Sequence, residues 1–237
     1  MNLVWMTLIT LVILQLSVFC TTIYLHRTMT HWGLVLHPVV KFLMHLDLTL
    51  FTGIIPREWV AVHRKHHYFS DEEGDPHSPY LKGMWNVLFG NFFMYREAKS
   101  DAVMVKKFTP EWKPDLIDRI PGNNYGVLGG LLIFCLMFGW LWGTITWFTH
   151  AILYILLNSA INSLGHTVGY RVFNNQQATN LQWLALLTGG EGLHNNHHEK
   201  PGSPKFSVIQ GEIDLGWRLI EVLRFFRLAT IKTAVRA

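Results

Sequence analysis

Three short runs of histidine hold the chemistry of this sequence: "HRTMTH" (His26, His31), "HRKHH" (His63, His66, His67) and "HNNHH" (His194, His197, His198). A fourth feature, "NSLGH", sets Asn162 four residues before His166. Neutral imidazole binds borderline transition metals without adding charge. On a helix, residues three and four apart share a face, so the first and last histidines of an HxxHH run point the same way. The middle histidine projects toward a neighbouring direction. One such run can serve two ions held side by side, and two runs make a dinuclear site plausible. Any one cluster is equally well a solvated polar loop, but the conjunction of four at one side of the apolar segments is not. Structural zinc closes on four ligands and often uses cysteine. Here Cys20 and Cys135 both sit in apolar runs that suit buried, inert thiols, and no HExxH occurs. A nitrogen-rich set with room for oxygen suits redox-active iron, and beside a bilayer the natural substrate of oxygen chemistry is a lipid chain.

Those histidines must be positioned by membrane elements. Half of the 237 residues are hydrophobic and only 15% are charged, a balance poor in charge for a soluble domain. The net charge of +4 is too mild and too dispersed to argue for nucleic acid. Residues 3–25 carry no charge and are long enough for a hydrocarbon core roughly 30 Å thick. A signal peptide would need a basic leader and a shorter apolar core, so this segment reads as an uncleaved transmembrane helix. Residues 126–165 are likewise uncharged and read as two crossings, about 126–143 and 147–166, with the break near Gly143. Trp5, Trp140, Trp142 and Trp147 then mark membrane interfaces. Ten Lys and Arg lie between residues 57 and 119 and eight between 171 and 237. The positive-inside rule places both segments, 54–122 and 167–237, in the cytoplasm and the N-terminus on the opposite side.

The stretch "GLVLHPVVKFLMHLDLTLFTG", residues 33–53, resembles a further span by length. A crossing there would part His26 and His31 from His63, His66 and His67 by a bilayer. His37, Lys41 and His45 repeat every four residues on one face, and Pro38 suits a first helical turn. The segment therefore reads as an interfacial or re-entrant helix that roofs the site. The fold expected is a single all-α integral membrane domain. It has about three transmembrane helices, this extra helix, and a helical cytoplasmic cap holding a histidine-rich di-iron site.

Taken together, the HxxxxH at 26–31, the HxxHH at 63–67, NSLGH at 162–166 and "GEGLHNNHH" at 190–198 resemble the membrane-bound fatty acid desaturases, specifically the stearoyl-CoA Δ9-desaturase-like group. "DPHSP" and "EIDLGW" resemble it too, so the likeness runs from about residue 15 to 227. The resemblance implies two iron ions. His26, His31, His63, His67 and His198 would hold one, and His66, His166, His194 and His197 the other, with Asn162 orienting a bound water. It also implies removal of two hydrogens from adjacent methylenes to give a cis double bond, with O2 as co-substrate. The acyl substrate would be presented as acyl-CoA, acyl carrier protein or phospholipid. Members of the group usually carry two crossings before the first box, where this chain has one. No fused cytochrome b5-like domain, dinucleotide fingerprint or cysteine cluster is visible, so electrons are expected from a separate ferredoxin or cytochrome b5 and its reductase. Membrane lipid and a second copy of the chain are further possible partners.

Arg64, Lys65, Lys82 and Arg96 are the candidates for an anionic substrate head group, although basic residues also follow from topology alone. His37, His45, His77 and His150 match no ligand position and read as ordinary polar residues. Asp71, Glu72, Glu73 and Asp75 read as a solvated acidic loop. Apolar and basic residues alternate at helical spacing over 215–237, which suggests an interfacial helix. Two other functions fit less well: a di-iron hydroxylase or oxygenase, which begins with the same hydrogen abstraction, and a non-catalytic histidine-rich metal carrier, which would need polar residues inside the crossings.

Overall fold

Asn2 starts the first helix by accepting the Val4 amide hydrogen, and an uncharged apolar run carries it on as α1, Leu3–Cys20. The computed structural model describes residues 2–174 and 177–232. Beyond Cys20 the same helix widens into π-helical turns over Thr21–Thr30. There the Thr28 and Thr30 hydroxyls and the His31 amide each donate to a carbonyl five residues back. After the short strand β1 (Leu34–Leu36) come α2 (Pro38–Asp47) and a π-helical extension over Leu48–Thr52, ended by Gly53 at a φ of +66°. Next are α3 (Pro56–Tyr68), α4 (Pro79–Lys82), α5 (Met84–Ser100) and α6 (Ala102–Phe108). An apolar hairpin follows, α7 (Gly126–Phe138) and α8 (Trp140–Thr167). The chain closes with α9 (Gln182–Leu187), α10 (His194–Glu199), α11 (Leu215–Phe225) and β2 (Ala229–Ile231).

Two helices, Leu3–Thr30 and Trp140–Thr167, each have 28 residues and enough apolar character to cross a bilayer. Their outward faces are apolar: Leu8, Leu11 and Val12 on one and Leu141, Phe148 and Ile152 on the other are exposed. Exposed apolar stripes of this extent suit a lipid environment. The segments Pro38–Thr52 and Pro56–Tyr68 bend by 88° at the break between them, as a broken span or a re-entrant loop does. By length and composition, two helices among the described residues are able to cross a bilayer, or three segments if that bent pair counts as one.

Several boundaries differ from those read in the sequence. The hairpin breaks at Gly139, whose φ is +78°, and not near Gly143. Gly143 lies inside α8, where a Cβ would collide with the backbone of Cys135, so this glycine lets the two helices close on each other. That leaves α7 with 13 residues, about 20 Å, short of a full hydrocarbon core. On α2 the buried residue is His45, while Val39, Phe42 and Leu43 face outward, so its apolar side is the exterior one. The tail is helical only to Phe225. It then turns back as β2, pairing antiparallel with β1 so that Leu34 faces Ile231 and Leu36 faces Ala229. The chain is therefore not purely helical, and residues 233–237 of the expected tail helix lie outside the described residues.

The core that carries the site packs Ile23, Tyr24 and Leu25 of the π-helical turns against Leu34, Leu48 and Ile220. A second anchor is polar. The Arg27 side chain is fully buried, donates to both carboxylate oxygens of Asp214 at 2.9 and 3.2 Å and to the Pro204 and Gly189 carbonyls, and lies 3.8 Å over the Phe206 ring. This joins the helix bearing His26 to the "EIDLGW" segment.

Candidate metal centre

Four elements bring the histidines together. In an α-helix, residues five apart diverge by about 140°, so the spacing of His26 and His31 would send them to different sides. Hydrogen bonds closed five residues back return them to one side, and the two rings sit 4.9 Å apart. Pro56 at the first turn sets the start of α3, which presents His63, His66 and His67. The end of α8 contributes His166, and α10 contributes His194, His197 and His198.

The nine side chains form two groups. Ligand atoms of His26, His31, His63, His67 and His197 lie within 4.8 Å of one another, as do those of His66, His166, His194 and His198. In both HxxHH boxes the first and last histidines enter one group and the middle one enters the other. This corrects the division implied by the family resemblance: His197 belongs with His26, and His198 with His66. The boxes cross over, each giving two ligands to one group and one to the other.

The arrangement fits metal. Nε2 atoms face one another at 2.9 Å (His26–His197), 3.0 Å (His63–His67 and His67–His197) and 3.1 Å (His166–His194 and His194–His198). A bare cluster of neutral rings has too few N–H donors for so many converging nitrogens. Ions with metal–nitrogen bonds near ~2.1 Å hold adjacent ligands about 3 Å apart. Buried His31 Nε2 has no hydrogen-bond partner among the described residues. Burial holds His63, His67, His194, His197 and His198 well below the usual imidazole range, which keeps their lone pairs free.

Carboxylates fix the rings from behind. His26 Nδ1 pairs with Glu191 at 2.6 Å, His166 Nδ1 with Asp71 at 2.7 Å, and His66 Nδ1 with Asp75 at 3.0 Å. Such partners select the tautomer that leaves Nε2 free and raise ligand basicity. Glu191 also accepts from the Thr22 hydroxyl, and Thr22 from Arg27. Although burial alone would raise it, the Asp75 carboxyl is held well below the usual carboxylate range by His66 and His77. The acidic loop is thus only half solvated: Glu72 and Glu73 are exposed, while Asp71 and Asp75 serve the site. Their signal in the sequence is the "DPH" turn, where Asp75 also accepts from the backbone of His77 and Asp71. His77 is itself buried, 4.6 Å from the His66 ring, and burial pushes it down to about 3.

A cavity of about 500 Å³ reaches His26 and His63 from between α1, α5 and α8. Val18, Ile54, Leu157 and Ile161 supply apolar wall, and Tyr154, bonded to Thr21 at 2.5 Å, is the α8 lining residue farthest along the chain from His166. Asn162 lines this cavity too. Of the four basic candidates only Arg96 borders it. Arg64 is occupied elsewhere, stacked on Trp32, bonded to three backbone carbonyls and paired with Glu111 at 2.6 Å. Lys65 and Lys82 lie outside the lining.

A model of the fatty acid desaturase family matches residues 3–207. The chain is 31% identical over 220 residues to the sn-1 stearoyl-lipid 9-desaturase of Anabaena variabilis, covering 88% of this chain and 76% of that protein. It is 32% identical over 215 residues to a Synechocystis protein of the same description, covering 88% and 65%. An acyl-CoA 5-desaturase of Anemone leveillei is 30% identical over 231 residues, with 90% and 67% covered.

Proposed function

The chain belongs to the fatty acid desaturase family, and from that premise we propose that it is an oxidoreductase that inserts a cis double bond into a saturated acyl chain. Two iron ions would be held by the nine histidines, His26, His31, His63, His67 and His197 for one and His66, His166, His194 and His198 for the other. The observation that carries this reading is the crossed pair of HxxHH boxes, which sets two nitrogen-rich groups side by side, the first of them reaching the wall of a partly apolar cavity through His26 and His63. Two irons supply, when bound and reduced, activation of O2 strong enough to abstract hydrogen from an unactivated methylene.

The chain's own residues do the rest. Glu191, Asp75 and Asp71 hold imidazole protons at Nδ1 of His26, His66 and His166, so that the opposite nitrogens stay unprotonated. A methylene offers no polar handle, so its position comes from cavity shape and from anchoring of the head group. Arg96 is suited to that anchoring, since it borders the cavity and, among the described residues, makes no ion pair. Asn162, one turn before His166, would orient a water beside the histidines.

The relatives' descriptions favour a lipid- or CoA-linked acyl chain. Electrons come from a separate carrier, a ferredoxin or cytochrome b5. The topology proposed keeps the histidine side, with both basic segments, in the cytoplasm. Cells expressing the chain should gain a monounsaturated fatty acid that a His197→Ala variant does not produce. Absence of any new double bond across acyl substrates and both carrier types would overturn the assignment.

A further inference from the structure

We propose that His45 Nε2 and Asp118 Oδ1, with Asp115 backing the imidazole at Nδ1, form a third metal site, for a single divalent ion of the zinc class, away from the nine histidines. Ligand atoms of the three lie within 4.8 Å of one another. His45 is fully buried at the end of α2, and its Nδ1 lies 2.7 Å from Asp115 Oδ2. This is the same carboxylate backing that His26, His66 and His166 receive, and it leaves a lone pair on Nε2. That Nε2 has no hydrogen-bond partner among the described residues and faces Asp118 Oδ1 at 3.9 Å.

A lone pair aimed at an anionic oxygen is repulsive unless a cation lies between them. The gap is too long for a charged hydrogen bond, which closes to about 2.7–2.9 Å. It suits two ligands of one ion with bonds near ~2.1 Å. The loop prepares both carboxylates. The Ile117 and Asp118 amides hold Asp115 Oδ1, and the Asp115 amide holds Asp118 Oδ2, so each residue turns its other oxygen toward His45. Tyr24 stacks over His45 with its ring centroid at 5.8 Å, and its buried hydroxyl also has no partner among the described residues. Among the described residues neither carboxylate pairs with a lysine or arginine. Lys41 and Arg119 line the adjacent surface groove with Asp115 but come no closer.

One imidazole and one carboxylate, with water completing the shell, suit a borderline divalent ion and disfavour copper(I). The ion would staple the 109–122 loop to α2, beside the π-helical turns that carry His26, and its presence does not depend on the desaturase reading.

The test uses the full chain in detergent, loaded with iron and then titrated with Zn2+. At saturation the wild type should hold one zinc more per chain than Asp118→Asn or His45→Gln, with iron equal in all three. Equal zinc in all three proteins would overturn the site and leave His45 as an imidazolium clamp between two carboxylates. Should the variants fold poorly, X-ray absorption at the zinc edge of the wild type decides alone. A shell of one nitrogen with oxygens supports the site, and an all-nitrogen shell, from zinc among the nine histidines, refutes it.

Discussion

Asp75 is the side chain where burial, charge and metal affinity meet. Its carboxylate is buried, orients His66, and accepts from two backbone amides as well. Loss of such a backing carboxylate typically costs 10–100-fold in metal affinity or activity. Asp75→Asn should therefore lower iron affinity and turnover by about that factor, read by iron titration and product formation, while folding is retained. Arg27 makes a different prediction. Replacing it with Met leaves Asp214 buried and uncompensated, a change worth about 3–5 kcal/mol, so the variant should melt well below the wild type with its histidines untouched. Neither role is visible in residue type alone. Asp71 and Asp75 sit in an acidic run that composition reads as solvent-facing, and only tertiary packing under α3 and α8 turns two of its four carboxylates inward.

At the scale of elements, the π-helical turns are the device that makes HxxxxH work. Deleting Met29 would leave the two histidines four apart, a spacing that ordinary α-helical winding holds on one face. The first histidine group should therefore keep its ion, so metal analysis should still find two irons per chain; one would show that the π winding does more than set the phase of His31. The i, i+3, i+4 geometry of the HxxHH boxes was legible in the sequence and holds in both boxes. The assignment of His197 and His198 carried over from the family departed from that spacing, and the spacing was the better guide. The π-winding was not legible, because threonines bonding five residues back leave no periodic signal. The hairpin break was misplaced for a similar reason: Gly143 serves helix contact and Gly139 serves the turn, and both are glycines in one apolar run.

For the whole molecule, the paired membrane helices and the loop-rich cap enclose many neutral histidines. Their folded pKa values lie below the unfolded value near 6.5, so between the two the unfolded chain binds more protons. The stabilisation is complete above about pH 6.5 and is lost as pH falls below it. The metal-free protein should accordingly show a melting temperature that declines from pH 7.5 to 5.5, with a smaller slope in a His63→Phe, His67→Phe double variant. The broad architecture, apolar helices carrying a histidine-rich cap, followed from hydropathy and motif spacing. The β1–β2 pairing of residues nearly two hundred positions apart did not, since such contacts leave no local mark.

The most direct measurement is mass spectrometry of the acyl product made by purified, iron-loaded protein supplied with a reducing carrier and O2. The substrate is a saturated chain deuterated at every methylene. The account predicts a chain that has lost two deuterium atoms from neighbouring carbons and gained no oxygen, with none formed by the His197→Ala variant. A product carrying one added oxygen, or no product at all, would contradict it.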